Sequence, residues 1–377
     1  MKIKVAIVGT GFSATSHLEA LRRVPNVEVF AVVSRSLEMA NHFAKKYGIP
    51  HSYDDVDAVL KNEEIAVVHN CTPNYLHYAI NKKALEAGKH VLSEKPLAIS
   101  SEETEELLEI AKKQQRIHGV CFNYRFYPLV QEMKTRVQNK DRVYLIHGGY
   151  IQDWLLYPTD YSWRLEKAVN GKSRAIADIG SHFCDTIQYI LGKKITRVFA
   201  DLHTIHTKRK KPTDEVQTFA TAASQNYEEV AIDTEDVGHV LLHFEGGTSG
   251  VFTVSQVSAG RKNHFHFEIS TEDTTFSWNQ EKPNELWIGK RDEPNGILLR
   301  DPSLLSEKSR SFVHYPGGHE EGWPDALKNL FIDFYGHIQN PEKDTFEYAT
   351  FEDGHRIMKI IEAILKSHET KQWVSIE

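Results

Sequence analysis

Three side chains in this 377-residue sequence are of the kinds that move a proton and steady a developing negative charge: Lys95, Asp178 and His182. Lys95 stands in Ser93-Glu94-Lys95-Pro96, directly after the short apolar run His90-Val91-Leu92. That run reads as a buried strand, which puts the lysine at the rim of a parallel sheet, where open α/β folds place their ligands. Alone, Glu-Lys-Pro fits a solvated loop equally well. Asp178 and His182 lie in Asp178-Ile179-Gly180-Ser181-His182-Phe183-Cys184-Asp185, ahead of an apolar helical run through Leu191. Their spacing of four places them on one side of a helical start. An imidazole is suited to take a hydroxyl proton near neutral pH. A nearby carboxylate fixes its tautomer and stabilises its charged form. The competing reading has Asp178 as a helix cap and His182 as a packing residue. A metal site on His182, Cys184 and Asp185 is disfavoured, because those three cannot face one point on a helix, and no metal is expected.

A second constellation opens the chain. Gly9-Thr10-Gly11-Phe12-Ser13-Ala14 matches the dinucleotide pattern, with alanine as the third small residue. Gly9 permits the tight turn, Gly11 lets backbone approach a pyrophosphate, and Ala14 keeps the helix close to the strand. The match follows one apolar strand and precedes a helix, the context that such a motif requires. The next strand ends in Ser34-Arg35-Ser36 rather than in the carboxylate that binds ribose hydroxyls in NAD-selective sites. An arginine flanked by hydroxyls suits a 2′-phosphate, so the expected cofactor is NAD(P), with NADP favoured. In Cys71-Thr72-Pro73-Asn74, Pro73 would shape a wall beside that cofactor, with His77 one turn into the following helix. An ordinary strand-to-helix turn capped by Asn74 is the alternative.

The elements that must position these groups follow from periodicity. Ile3 to Val8, Val27 to Val33, Ile65 to His69, His90 to Leu92 and Ile117 to Phe122 read as strands. Between them, Ser13 to Arg23, Ser36 to Tyr47, Asn74 to Ala87 and a helix from Ser100 through Gln114 read as helices. Gly48 and Gly88 are stops, and Ser100 with Glu103 has capping-box spacing. Strands joined by such helices imply a parallel sheet with right-handed crossovers. From about 195 to 290 the rhythm changes. Val240, Leu242 and Phe244 alternate before Gly246-Gly247, and Phe252 and Val254 resume after it, as in a hairpin. Phe265, Phe267 and Ile269 alternate with His264, His266 and Glu268. The fold class is therefore a Rossmann-type parallel sheet domain followed by an α+β domain with a large, mainly antiparallel open sheet. The domain boundary falls at 122/123. Helices return near Pro324 to Ile338 and Phe351 to His368. Lys208 to Lys211 reads as a solvated basic loop before Pro212.

Composition sets the outer limits. Hydrophobic residues are 40% of the chain and charged ones 26%, a globular balance, and the formal net charge of -7 argues against nucleic acid or an anionic membrane as main partner. Three widely spaced cysteines, Cys71, Cys121 and Cys184, fit a reduced cytoplasmic setting. The apolar stretch near Met1 is too short for a signal peptide, and no run approaches membrane-spanning length.

Taken together, the pattern resembles the glucose–fructose oxidoreductase, inositol dehydrogenase and MocA family. The resemblance is carried by Gly9 to Ala14, Thr72-Pro73-Asn74, Glu94-Lys95-Pro96 and Asp178-x-Gly180-x-His182, and it runs on through Asn123-Tyr124-Arg125, Trp163-Arg164, Gly260 to Asn263, Pro283 to Leu286 and Pro316 to His319. It implies hydride transfer between a nicotinamide and a secondary alcohol or ketone of a sugar or cyclitol. It implies catalytic roles for Lys95, Asp178 and His182 acting on the same substrate. Gly9, Gly11, Phe12, Ser13, Ala14, Ser34, Arg35, Thr72, Pro73, Asn74, His77, Glu94 and Lys95 are the expected cofactor contacts. Tyr124, Arg125, Asp153, Trp163, Arg164 and His319 are the candidate substrate contacts. A homo-oligomer, dimer or tetramer, through the late sheet is implied as well. Two rivals remain open on the residues alone: a glycosidase of the same fold using bound NAD for transient oxidation, and a non-enzymatic NAD(P)-responsive regulator.

Overall fold

The protein, seen as a computed structural model, is described for residues 2–213, 226–342 and 345–376. It divides into two compact units, Met1–Phe126 with Trp323–Met358, and Tyr127–Gly322 with Lys359–Glu377.

The first unit is built on six parallel strands: β1 (Ile3–Val8), β2 (Val27–Val33), β3 (His51–Tyr53), β4 (Ile65–Asn70), β5 (His90–Ser93) and β6 (His118–Val120). Their order is β3-β2-β1-β4-β5-β6, so the chain reverses direction across the sheet between β1 and β4. Ligands bind outside the carboxyl ends of strands at such a switch point. Val5, Ala6 and Ile7 have no exposed surface, and neither do Val67 and Val68, as expected of strands covered on both faces. Around the sheet lie α1 (Phe12–Leu21), α2 (Leu37–Tyr47), α3 (Val56–Leu60), α4 (His77–Glu86) and α5 (Ser101–Gln114). The Ser36 hydroxyl caps α2 by accepting from Met39 N, and Gly48 ends it at φ +67°. The Ser100 hydroxyl accepts from Glu103 N, while the Glu103 carboxylate reaches back to Ile99 N at 3.1 Å, one residue beyond the N-cap N–H of the usual capping box. The helix expected over Asn74 to Ala87 begins instead with a 3₁₀ turn, Asn74–Leu76. Residues Trp323–Gln339 form a further helix of this unit, and Val120 bridges to Ala349.

The second unit carries a nine-stranded sheet. Its strands are β7 (Val143–Ile151), β8 (Ile195–His203), β11 (Val237–Phe244), β12 (Ser249–Ser255), β13 (His264–Thr271), β14 (Thr274–Asn279), β15 (Glu285–Lys290), β16 (Gly296–Leu299) and β17 (Val374–Ser375); β9 (Lys208–Pro212) and β10 (Tyr227–Ala231) form a separate two-stranded ribbon. The large sheet runs β16-β15-β14-β13-β7-β12-β11-β8-β17, antiparallel except for the β7–β12 pair. Phe265, Phe267 and Ile269 are fully buried, and β11 and β12 form the expected hairpin. On the buried face lie α6 (Pro128–Gln138) and, beyond the short α7 (Lys167–Asn170), α8 (Ser181–Leu191), whose Phe183 ring stacks on Phe252 at 4.6 Å.

Two local expectations are corrected. Lys208 to Lys211 is not a loop but most of β9, because β10 supplies acids opposite it: Glu228 faces Lys211 and Glu229 faces Lys210. Alternation then sends Arg209 inward, where it donates to Asp236 and to the Leu155 carbonyl, both without leaving any exposed surface on its side chain. Asp178 does not cap α8 either. It lies in a π-helical turn, Ile176–Gly180, that leads straight into α8 with Gly180 at the cap position. Such turns interrupt the usual register and are frequent at functional sites.

Asp236 is the counter-charge of two fully buried guanidiniums, Arg174 at 2.5 Å and Arg209 at 2.8 Å. Removing one partner of a buried ion pair costs about 3–5 kcal/mol. Asp236→Asn is therefore expected to lower the denaturant midpoint of unfolding followed by tryptophan fluorescence, and an unchanged midpoint would refute this role.

Candidate active site

The turn after β1 meets the demands of a dinucleotide. Gly9 adopts φ +118°, and a Cβ there would lie 2.6 Å from the Cys71 carbonyl oxygen, so the turn packs directly on the residue that follows β4. A Cβ on Gly11 would meet nothing within 4 Å, which leaves its outer side open for an approaching group. Gly11 is also the cap position of the ten-residue α1 and offers no side-chain oxygen, so the N–H groups of the first turn suit an anion. Ala14 is fully buried, and Thr10 Oγ1 lies 3.1 Å from Ser34 Oγ at the end of β2. Arg35 is exposed, its Nε 3.1 Å from the Met39 sulfur, at the mouth of α2. These residues fit the phosphates and ribose of a nicotinamide dinucleotide.

Behind them an amide and hydroxyl network joins β4 to β5. Asn70 accepts from Thr72 Oγ1 at 2.7 Å and donates to Asn81 at 2.9 Å. Asn81 donates to Ser93 Oγ at 2.9 Å. His77 is fully buried, with Nδ1 2.7 Å from the Pro96 carbonyl and Nε2 2.9 Å from that of Thr72. Burial lowers its pKa, while the two carbonyls and Glu94 pull it back up. His77 thus ties the Thr72-Pro73 turn to the segment that follows Lys95.

Glu94 ends a chain that the motifs did not reveal. Tyr335 Oη is 2.8 Å from His69 Nε2, His69 Nδ1 is 2.8 Å from His17 Nδ1, and His17 Nε2 is 3.2 Å from Glu94 Oε1. The second carboxylate oxygen accepts from Lys95 N at 3.1 Å. Burial works to raise the Glu94 carboxyl, but the His17 hydrogen bond and the charges of His17 and Lys95 outweigh it and hold it at about 2. An ionised carboxylate only accepts. Glu94 therefore accepts from His17 Nε2–H, and the facing Nδ1 atoms of His17 and His69 share a single hydrogen. Burial pushes the Tyr335 phenol up and His69 down, which keeps both neutral. His17, Glu94 and Cys121 bring ligand-type atoms within 4.8 Å of one another. Burial raises the Cys121 thiol well above its usual range, and its sulfur lies 3.6 Å from His17 Nε2.

In the second unit, Asp178 is bracketed. Gln256 Nε2 donates to Asp178 Oδ2 at 2.9 Å, and Arg164 Nε stands 3.6 Å from Oδ1. The Arg164 guanidinium in turn lies over the Trp163 ring, 4.5 Å from its centre. His182, four residues on, is buried, and its ring centre is 6.1 Å from that of Tyr150, whose hydroxyl donates to Asn263. Asp178, Arg164 and Trp163 are thus brought together. Asp153 accepts from Lys262 Nζ at 2.8 Å and Gly260 N at 3.0 Å. In the first unit Tyr124 is buried and Arg125 lies 3.4 Å from Asp353. His319 is exposed, in a loop organised by the buried Arg300–Glu321 pair at 2.7 Å.

Two family models match, one described as an oxidoreductase family with NAD-binding Rossmann fold over residues 3–122, the other as the GFO/IDH/MocA C-terminal domain over residues 130–299. The chain belongs to the GFO/IDH/MocA oxidoreductase family. The expectations of this fold and of a nicotinamide-dependent oxidoreductase are met. Within the family, levoglucosan dehydrogenase of Pseudarthrobacter phenanthrenivorans is 28% identical over 99% of this chain and 98% of its own. An NADP-dependent scyllo-inositol 2-dehydrogenase of Bacillus subtilis is 31% identical over 40% of this chain and 46% of its own. A solved levoglucosan dehydrogenase in complex with NADH and levoglucosan superposes with a TM-score of 0.88 at 26% identity, covering both chains fully. Among the described residues no helix is long and apolar enough to cross a membrane.

The depressed Glu94 carboxyl sets a pH dependence. Its folded pKa of about 2 lies below the ordinary value of 4.5. The stability it contributes is therefore present above pH 4.5 and is lost as pH falls toward 2, an amount of about 3 kcal/mol. Glu94→Gln should flatten the loss of stability in this window when unfolding is followed against pH. An unaltered profile would show that the chain does not hold an ionised carboxylate.

Proposed function

We propose that this protein transfers a hydride between NADP and a secondary hydroxyl of a sugar or cyclitol, in the cytoplasm, with a pyranoside as the best substrate class. The observation that carries the reading is the bracketed carboxylate Asp178, one helical turn from the imidazole of His182. Residues 1–122 hold the cofactor and residues 123–377 the substrate. The nicotinamide, when bound, accepts or returns the hydride. His182 takes the proton of the reacting hydroxyl. Lys95 donates a hydrogen bond to that oxygen and stabilises the negative charge developing on it. Asp178 orients the donors. Trp163 offers an apolar face to the C–H side of a sugar ring, and Arg164 donates to its hydroxyls.

NADP selectivity is supported by Arg35 at the mouth of α2, where a 2′-phosphate would meet both a guanidinium and a helix N-terminus. Self-association is supported by Tyr144, Leu145, Leu241, Trp287, Ile297 and Leu299, exposed apolar residues on strands of the large sheet. Sedimentation should give a dimer or tetramer that Leu241→Lys weakens, and a monomeric wild type would refute it.

A panel of levoglucosan, glucose, glucose 6-phosphate and inositols, assayed with NAD and NADP by nicotinamide absorbance, tests the function. Lys95→Ala and His182→Ala should bind cofactor normally and lose about 100- to 10,000-fold in kcat. Near-wild-type turnover in either would remove that residue from the mechanism. Arg35→Ala should weaken NADP more than NAD, and a NAD preference that this substitution leaves unchanged would overturn the selectivity.

A further inference from the structure

We propose that Gln256 is a positioning residue for the reaction, one that holds Asp178 as an oriented, ionised acceptor through a hydrogen bond whose direction is dictated by Arg174. The inference rests on the assignment of Asp178 to the reaction.

The two ends of a glutamine amide have the same shape, so their identity must come from their partners. Gln256 is fully buried just past β12, and its backbone is held at both groups: its N donates to the Asp236 carbonyl at 3.0 Å, and its carbonyl accepts from Leu155 N at 3.1 Å. One end of its side chain faces Arg174 Nη1 at 3.1 Å. A guanidinium carries donors only, so this end must be the oxygen. Arg174 cannot turn away. Its Nε donates to Thr234 Oγ1 at 3.2 Å, and its Nη2 donates to the Thr234 carbonyl at 3.3 Å and to Asp236 Oδ1 at 2.5 Å. The other end of the amide is therefore the NH2 group, and it stands 2.9 Å from Asp178 Oδ2.

The consequence falls on Asp178. A donor at one oxygen and the Arg164 cation near the other both favour the ionised carboxylate. The amide does this without adding a charge of its own, so Asp178 keeps its full negative charge for the groups it serves. The π-helical turn that carries Asp178 is anchored by the same stretch of chain. The Glu235 carboxylate accepts from Ser173 Oγ at 2.6 Å, Arg174 N at 2.8 Å and Ile176 N at 3.0 Å. Thr234, Glu235 and Asp236 thereby fix both the backbone under Asp178 and the donor aimed at it.

The deciding variant is Gln256→Glu. It keeps the volume and the oxygen that Arg174 requires, but it replaces the NH2 facing Asp178 by a second oxygen. We expect kcat on the fastest pyranoside of the panel to fall about 10- to 100-fold. NADPH affinity, read by nicotinamide fluorescence, should stay unchanged. The double variant with Asp178→Asn should lose no more than Asp178→Asn alone, because Gln256 acts through Asp178. Gln256→Leu serves the same comparison should the glutamate variant not fold. If either folded variant keeps the wild-type kcat while Asp178→Asn has lost it, or if the losses in the double variant add, Gln256 only fills space and the proposal fails while the function stands. If Asp178→Asn itself keeps wild-type turnover, the functional reading falls and this inference with it.

Discussion

Two guanidiniums shut off from water share one carboxylate, and the second unit is arranged around that fact. Arg174, Arg209 and Asp236 have no exposed side-chain surface. Charges taken out of water are tolerated only when paired and hydrogen-bonded on every side. Asp236 therefore fixes where Arg209 enters, and Arg209 in turn gathers the carbonyls of Leu155, Tyr157 and Asp160. Asp236 Oδ2 also accepts from Ile205 N at 2.7 Å and His206 N at 3.0 Å. Arg174, held by this centre, is the same guanidinium that faces Gln256 beside Asp178.

The first unit meets the corresponding problem without a buried arginine. Glu94 ends a file of hydrogen-bonded rings, Tyr335, His69 and His17, the last of which donates to it. The file draws on β4 through His69, on α1 through His17, and on the Trp323–Gln339 helix through Tyr335. Its packing is aromatic as well: the Phe331 ring meets His17 at 4.9 Å and His69 at 5.0 Å, both edge-on. The lysine that follows Glu94 donates its backbone N–H to the same carboxylate.

What could be read from residues alone was local. The glycine turn, the wholly apolar strands, the Ser100 cap and the alternation in β13 each depend on neighbours a few positions away, and the structure reproduces them. What could not be read depends on partners far along the chain. His17 pairs with a residue 52 positions away, and His69 with one 266 away. Lys208 to Lys211 became a strand because of acids in β10, and Gln256 sits in no motif at all. The π-helical turn was hidden for a different reason. Its register is imposed by three hydrogen bonds to Glu235, not by any helical preference of Ile176 to Gly180.

All three thiols are free and buried, Cys71 and Cys121 in the first unit and Cys184 in the second. Burial also keeps each of them in the poorly nucleophilic protonated form. An alkylating reagent can therefore reach them only when the surrounding structure opens. The protein carries an internal clock for each half of the chain, and the order in which the cysteines become labelled would report which half lets go first.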